Sequence, residues 1–161
     1  MSVVVGTNSY ISVSEADSYF SARNNSTWST ADNADKEKAL IESVQYMDNR
    51  FNYIGTQIET NPLAWPRYYA IISDGNFKGV SYDASTVPQC VKDAQAELAL
   101  DALSQSLNPT LDRGGAIKRE KVDTLEIEYS DFAPTNRSYN FAAMILSRVI
   151  AGNSTNRKVV R

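Results

Sequence analysis

Apolar residues recur along the chain at helical spacing in several stretches separated by polar runs. Leu40, Val44, Met47 and Phe51 follow one another at intervals of four, three and four residues, a single stripe that predicts a helix over about Asp32–Phe51. Its first turns carry Asp32, Asp35 and Glu37 and its end carries Arg50, as the helix dipole favours. Before it, the β-branched start at Val3, the breaks at Gly6 and Asn8, and the alternation in Tyr10-Ile11-Ser12-Val13 predict an extended segment over 1–13. A first helix is expected to follow, capped by Ser14 with Asp17 completing a capping box, Tyr19 and Phe20 facing a core, and Asn24-Asn25 ending it. Trp28 is placed in a polar loop that pins the first helix to the second. Thr86 and Pro88 open a third helix that Asn108-Pro109 stops. There Val91, Ala94, Leu98 and Ala102 form one stripe, and Leu100, Leu103 and Leu107 widen it. A helix apolar over so much of its surface is central in a domain or buried against a neighbouring subunit.

The periodicity breaks down between Asn52 and Val87, where aromatics (Tyr53, Trp65, Tyr68, Tyr69, Phe77, Tyr82) alternate with turn residues. A long loop inside a domain is functional or packed by its own side chains. Trp65, Pro66 and Arg67 are its expected anchor, a large ring beside a fixed backbone. After the joint at Gly114-Gly115, Leu125, Ile127 and Tyr129 alternate with Glu126 and Glu128, a half-buried strand. Ile117–Val122 is its expected partner across a turn at Asp123-Thr124, with Lys118, Arg119 and Lys121 facing the glutamates. A lone hairpin is marginal in water, so this one must lie on the domain or on a neighbour. Tyr139–Ala151 reads as a last short helix, apolar at Phe141, Met144, Ile145, Val149 and Ile150 and stopped by Gly152. Residues 152–161 read as an arm. The expected fold is therefore mainly α. It is a small helical bundle of three to four main helices over 14–151, with a β-hairpin near 116–129 and extended N- and C-terminal arms.

Composition narrows the chemistry. The chain has 161 residues, 42% hydrophobic and 22% charged, ordinary for one globular domain. No apolar run approaches the ~20 residues that span a bilayer, and MSVVVGTNSY lacks the basic region of a secretory signal. The expectation is a protein made in a cytoplasm and not inserted in a membrane. There is no histidine, and Cys90, the one cysteine, follows Pro88 in an apolar pattern and reads as a buried small hydrophobe. No catalytic residue, cofactor or metal is expected. The charge is uneven: from Phe132 onward the chain carries Arg137, Arg148, Arg157, Lys158 and Arg161 and no acid. Repeated around a symmetric ring, those charges would make a basic collar.

The string Arg113-Gly114-Gly115-Ala116-Ile117-Lys118-Arg119-Glu120-Lys121-Val122, followed by Leu125-Glu126-Ile127-Glu128-Tyr129, resembles a segment of small phage head-to-tail connector proteins. Many of these carry the label of a DnaT-like single-stranded-DNA-binding protein. Tyr10–Val13 with Ala16–Phe20, Lys38–Ile41 with Tyr46–Asp48, Leu63–Arg67, and Val87-Pro88 with Ala94–Ala99 resemble the same family in the same order, over about residues 10–130. The resemblance implies a mostly helical, non-enzymatic adaptor of the virion neck. It would form a ring of about twelve copies under the portal protein and join the head to a downstream tail or neck protein, while double-stranded DNA passes through without specific binding. A formal charge of −3 suits such a conduit, because each phosphate contact adds a salt-dependent grip. Ile117, Lys118, Arg119, Lys121, Leu125, Ile127 and Tyr129 are then the candidates for the subunit interface. Arg148, Arg157, Lys158, Val159, Val160 and Arg161 are the candidates for docking on the portal.

Three other readings stand beside this one. Binding of single-stranded DNA would use a positive groove with stacking aromatics; here Tyr53, Trp65, Tyr68 and Tyr69 are accompanied only by Arg67 and Lys78. An enzyme would need carboxylate pairs such as Glu126/Glu128 or Asp93/Glu97, which on exposed faces are usually just solvated. A stopper or tail-completion protein of the same neck would show much the same sequence features.

Overall fold

The computed structural model of the chain describes residues 2–72, 79–108, 119–122, 125–128 and 139–151. In chain order these form α1 (Val13–Ser21), α2 (Ser26–Thr30), α3 (Asn33–Arg50), β1 (Thr56–Gln57), β2 (Arg67–Tyr68), α4 (Gln89–Ser104), β3 (Arg119–Val122), β4 (Leu125–Glu128) and α5 (Asn140–Ile145), the last running into a tight turn at Leu146–Arg148. The architecture is mainly α, with two small antiparallel ribbons, β1–β2 and β3–β4.

The stripe on α3 folds where the periodicity predicts it. Asp32 and Phe51 are its caps, and Leu40, Val44 and Met47 are buried. α4 packs along α3 and also touches α1, α2 and α5, so the wide apolar arc of this helix belongs to a central element. One side of it, Val91, Ala94 and Leu98, meets Val44, Met47, Trp65, Leu146 and Val149. Another, Ala96 and Ala99, meets Ile11, Phe20, Trp28 and Leu40. α4 ends at Ser104 and not at Asn108, because Gln105 turns fully extended. Leu107 is buried nonetheless, as part of the following segment, whose direction is fixed by its N–H donating to Glu42 Oε1 at 2.7 Å.

Three further details depart from the expected pattern. α1 is capped by Ser12, two residues before Ser14. Ser12 Oγ accepts from the Glu15 N–H at 3.1 Å, and Glu15 Oε2 accepts from the Ser12 N–H at 2.8 Å. That backbone donor also holds the Glu15 carboxyl below its ordinary pKa. Asp17, the other possible box acid, instead accepts from Trp28 Nε1 at 2.8 Å and Lys36 Nζ at 2.9 Å. Trp28 itself lies in a short helix, α2, rather than a loop, stacked on Phe20 at 4.8 Å. It still pins α1 to α3, as the sequence suggested. Finally, α5 is shorter than the 139–151 helix expected. It turns Ala142, Leu146 and Val149 inward and leaves Phe141 and Met144 53% and 62% exposed.

The N-terminal segment is not the extended arm expected: it turns at residues 6–8, where the Thr7 and Asn8 N–H groups donate to Val4 O at 3.0 Å, and it enters the fold, with Ser9, Tyr10 and Ile11 buried. What holds it is Gln95, a fully buried glutamine on α4. Its Oε1 accepts from the Tyr10 N–H at 3.0 Å, and its Nε2 donates to Ser9 Oγ at 2.7 Å and to Leu40 O at 3.1 Å. Both amide hydrogens are thereby used. The Tyr10 ring reaches onward, and its hydroxyl donates to Asp48 Oδ1 at 2.6 Å while accepting from the Trp65 N–H at 3.3 Å. Asp48 Oδ2 accepts from the Ala64 N–H at 2.9 Å. A line of buried polar contacts thus runs from α4 through the N-terminal segment and α3 to the aromatic loop. Burial raises Asp48 above the ordinary carboxylate range in spite of these donors and of Arg67 nearby, and burial beside Asp48 pushes the Tyr10 hydroxyl up as well.

Two outcomes are expected. Replacing Gln95→Met keeps the volume but strands the Tyr10 N–H and removes one donor each from Leu40 O and Ser9 Oγ, which keep their bonds with Ser43 Oγ and Ile11 O, and should lower the unfolding free energy by about 1–3 kcal/mol in urea titration. A loss below about 0.5 kcal/mol would mean that the amide is not a pin. For Asp48 the folded pKa is raised, so its contribution to stability is complete below the unfolded value of about 4 and is lost as pH rises through the folded value. The stability of the wild type relative to Asp48→Asn should therefore fall over that interval and level off above it. A difference that grows with pH there would contradict the assignment.

Candidate interaction surface

The aromatic loop is a twisted ribbon. β1 and β2 pair antiparallel with Thr56 opposite Tyr68 and Gln57 opposite Arg67. Beyond them the Tyr82 N–H donates to Ala70 O at 2.9 Å, and the Ile72 N–H donates to Val80 O at 2.8 Å. Gly55 is required where the strands cross. Its φ is +77°, and a Cβ there would lie 2.5 Å from Tyr68 O. On the other side the ribbon is tied to the C-terminal part of the domain: the Ile54 N–H donates to Val149 O at 2.9 Å, and the Ala151 N–H donates to Asn52 O at 2.8 Å.

The expected anchor lies at the root of this ribbon. Trp65 is 1% exposed and meets Tyr53 and Tyr82 edge-on at 5.8 and 6.0 Å. Among the described residues its indole N–H has no hydrogen-bond partner, and packing holds the ring there. Pro66 follows through a cis peptide bond. Arg67 spends its guanidinium on backbone carbonyls: Nε donates to Ile54 O at 2.8 Å, Nη1 to Ala64 O at 3.2 Å and Nη2 to Gly55 O at 3.0 Å. It is a staple across the ribbon, and partial burial lowers its pKa.

The ribbon presents two of the four aromatics named for the single-stranded-DNA reading, together with two aliphatic residues. Tyr68, Tyr69, Ile71 and Val80 are all exposed, Tyr69 at 81%. The two tyrosine rings lie 6.2 Å apart. Tyr69 has φ +55°, a left-handed conformation that costs a non-glycine residue on the order of 1–2 kcal/mol. Tyr69 is thus an exposed aromatic held in an unfavourable backbone conformation beside a stapled base. A second, smaller apolar face lies on α5 and the turn after it. There Phe141 and Met144 are exposed at helical spacing with Arg148, which is also exposed.

The other predicted interface residues divide by location. Arg119 and Lys121 lie on β3, opposite Glu128 and Glu126 of β4 in register, and Leu125 lies opposite Val122 and Ile127 opposite Glu120, so the expected hairpin is present. Ile117, Lys118 and Tyr129 lie outside the described residues, as do Arg157, Lys158, Val159, Val160 and Arg161. A groove of about 730 Å³ runs along α3 between Lys38 and Arg50, floored by Ile41, Tyr46 and Leu107. Its acid, Glu42, is committed to the Leu107 N–H and the Ser106 hydroxyl. Among the described residues no cluster of acids and cysteine is placed to hold a metal ion, and no helix is long and apolar enough to cross a membrane. Burial also raises the pKa of Cys90.

Gln95, Tyr10 and Asp48 escaped the sequence reading as polar pins because nothing in their spacing separates a buried polar group from a solvated one. The exposed pair Tyr68-Tyr69 was visible only as aromatic content.

Against known proteins, neither a curated sequence nor a solved structure gives a significant match. A family model described as "Putative DnaT-like ssDNA binding protein" matches residues 2–161, nearly the whole chain. The chain belongs to that family.

Proposed function

We propose that this chain is a non-catalytic structural protein that works as one copy in a closed ring, the head-to-tail adaptor of a phage neck that its sequence resembles. The observation that carries the reading is the set of exposed large apolar and aromatic residues on the ribbon, Tyr68, Tyr69, Ile71 and Val80. A rigid base presents four large apolar or aromatic side chains to solvent, which a solitary subunit cannot use and a symmetric assembly can bury. The Phe141–Met144–Arg148 face offers a second contact, fit for the portal or the next neck protein. The most buried of the groups with displaced pKa values, Tyr10, Tyr53 and Asp48, are packed inside and join chain segments rather than face a shared cavity. Such an arrangement serves rigidity better than proton transfer.

The family description favours a second reading, binding of single-stranded DNA. On its side are the two exposed tyrosines, since bases stack on aromatic rings irrespective of sequence. Against it, Tyr53 and Trp65 are buried in the core and Arg67 is engaged with carbonyls, so neither stacking nor a phosphate contact is left to them.

One preparation of the full chain separates the two. Its mass is measured by light scattering, alone and with the portal protein, and its binding to a labelled oligonucleotide is measured by anisotropy at about 50 mM salt. The adaptor reading expects a ring-sized assembly with the portal and no salt-sensitive oligonucleotide binding. A monomer under both conditions, together with oligonucleotide binding that Tyr69→Ala abolishes, would reverse the order of the two readings.

A further inference from the structure

We infer that the groove along α3 is the seat for the β3–β4 hairpin of a neighbouring copy, an inference that rests on the ring reading and names one of its subunit contacts. The hairpin needs a seat. A two-stranded ribbon is marginal in water by itself, and among the described residues no helix of the same subunit packs along this one. The register sorts its residues into two faces. Arg119, Lys121, Glu126 and Glu128 share one face, with each base opposite an acid. Val122, Leu125 and Ile127 share the other with Glu120. A ribbon with one apolar face is stable when that face is covered.

The groove offers the matching surface. Its floor is Ile41, Tyr46 and Leu107, and its rims are polar, with Lys38 towards one end and Arg50 towards the other. The helix between those two residues is about 18 Å long, and a four-residue strand extends about 13 Å, so the hairpin fits along it. The charges agree as well. Glu42 is spent on the Leu107 N–H and the Ser106 hydroxyl, and Lys38 is paired with Asp35 at 2.9 Å. Arg50 makes no ion pair among the described residues, so the unmatched charge of the groove is a cation. On the hairpin's apolar face the charged residue is an acid: Glu120 stands opposite Ile127, whereas the other face sets base against acid.

The segment that carries the hairpin begins and ends at the groove's own wall. It follows Asn108, which lines the groove, and it precedes Tyr139, whose ring meets Tyr46 edge-on at 5.2 Å and whose hydroxyl donates to Leu107 O at 3.3 Å. Residues 109–118 lead to the hairpin and 129–138 lead back. Either stretch can span at most roughly 35 Å, enough to reach an adjoining subunit. A hairpin carried at the edge of one groove, and packed along no helix of its own subunit, enters the groove of the next copy. Each copy then gives one hairpin and accepts another, a head-to-tail contact of the kind that closes into a ring.

The test uses the full chain with Cys90→Ser, into which Gln45→Cys on the groove and Ile127→Cys on the hairpin are introduced together, and the assembled protein is oxidised mildly. A ladder of disulfide-linked multimers on non-reducing gels, lost on reduction, is the expected result. A within-chain disulfide, seen as an oxidised monomer with no ladder, would place the hairpin in its own groove and overturn the inference. The absence of any cross-link in an assembled ring would overturn it too. As a second measurement, Arg50→Glu and Glu120→Arg should each leave the far-ultraviolet circular dichroism of the subunit unchanged and weaken assembly about threefold or more, and the two together should restore it. Rings indifferent to both single reversals, with no cross-link, refute the seat while leaving the ring reading intact. A full chain that never assembles, even with the portal, removes both.

Discussion

The side-chain amide of Gln95 is the contact on which the rest of the arrangement depends. It is fully buried at the centre of the most enclosed helix, and its two hydrogens and its oxygen are all bonded, to Ser9, Leu40 and Tyr10. A buried amide is unfavourable unless satisfied, so the same contact that stabilises the correct docking of the N-terminal segment penalises every other docking. With Tyr10 fixed, its hydroxyl bridges Asp48 and the Trp65 backbone. With Trp65 fixed, Arg67 clips the ribbon to Ile54 and Gly55. Tyr68 and Tyr69 come next in the chain. The surface proposed to meet a partner is thus tied to the core by polar contacts, each specific in direction, where apolar packing alone would allow sliding.

Such a construction suits a part that must be rigid before it assembles. Ordering a loop at the moment of docking would consume binding free energy, whereas a ribbon already stapled adds its apolar area without that penalty. The backbone strain at Tyr69 fits the same logic, since an unfavourable left-handed conformation persists only where its surroundings determine it.

How far the sequence carried depended on whether a residue's role followed from periodicity. α3 was legible because Leu40, Val44 and Met47 mark one face and Asp32 and Phe51 bound it. The hairpin was legible from strict alternation, and its register places Arg119 and Lys121 opposite glutamates. The start of α1 was misplaced because Ser12-x-x-Glu15 and Ser14-x-x-Asp17 satisfy the same local rule, and only the tertiary demand of Trp28 and Lys36 on Asp17 decides between them. The end of α4 was misplaced because Leu107 is a core residue of the next segment and kept the apolar count running. Trp65-Pro66-Arg67 was identifiable as an anchor, but a sequence cannot say that the guanidinium turns back onto three carbonyls. Nor can it say that Tyr68 and Tyr69 face outward while Tyr53 and Trp65 are buried, because these aromatics follow no helix or strand period.

The most direct test of the central claim is amide hydrogen exchange measured residue by residue on the free and the assembled chain. The account predicts that Tyr10 and Ile11 are protected in both states, and that residues 67–72 and 79–82 gain protection only on assembly. Equal exchange at the ribbon in the two states, or an unprotected Tyr10 amide in the free chain, would contradict it.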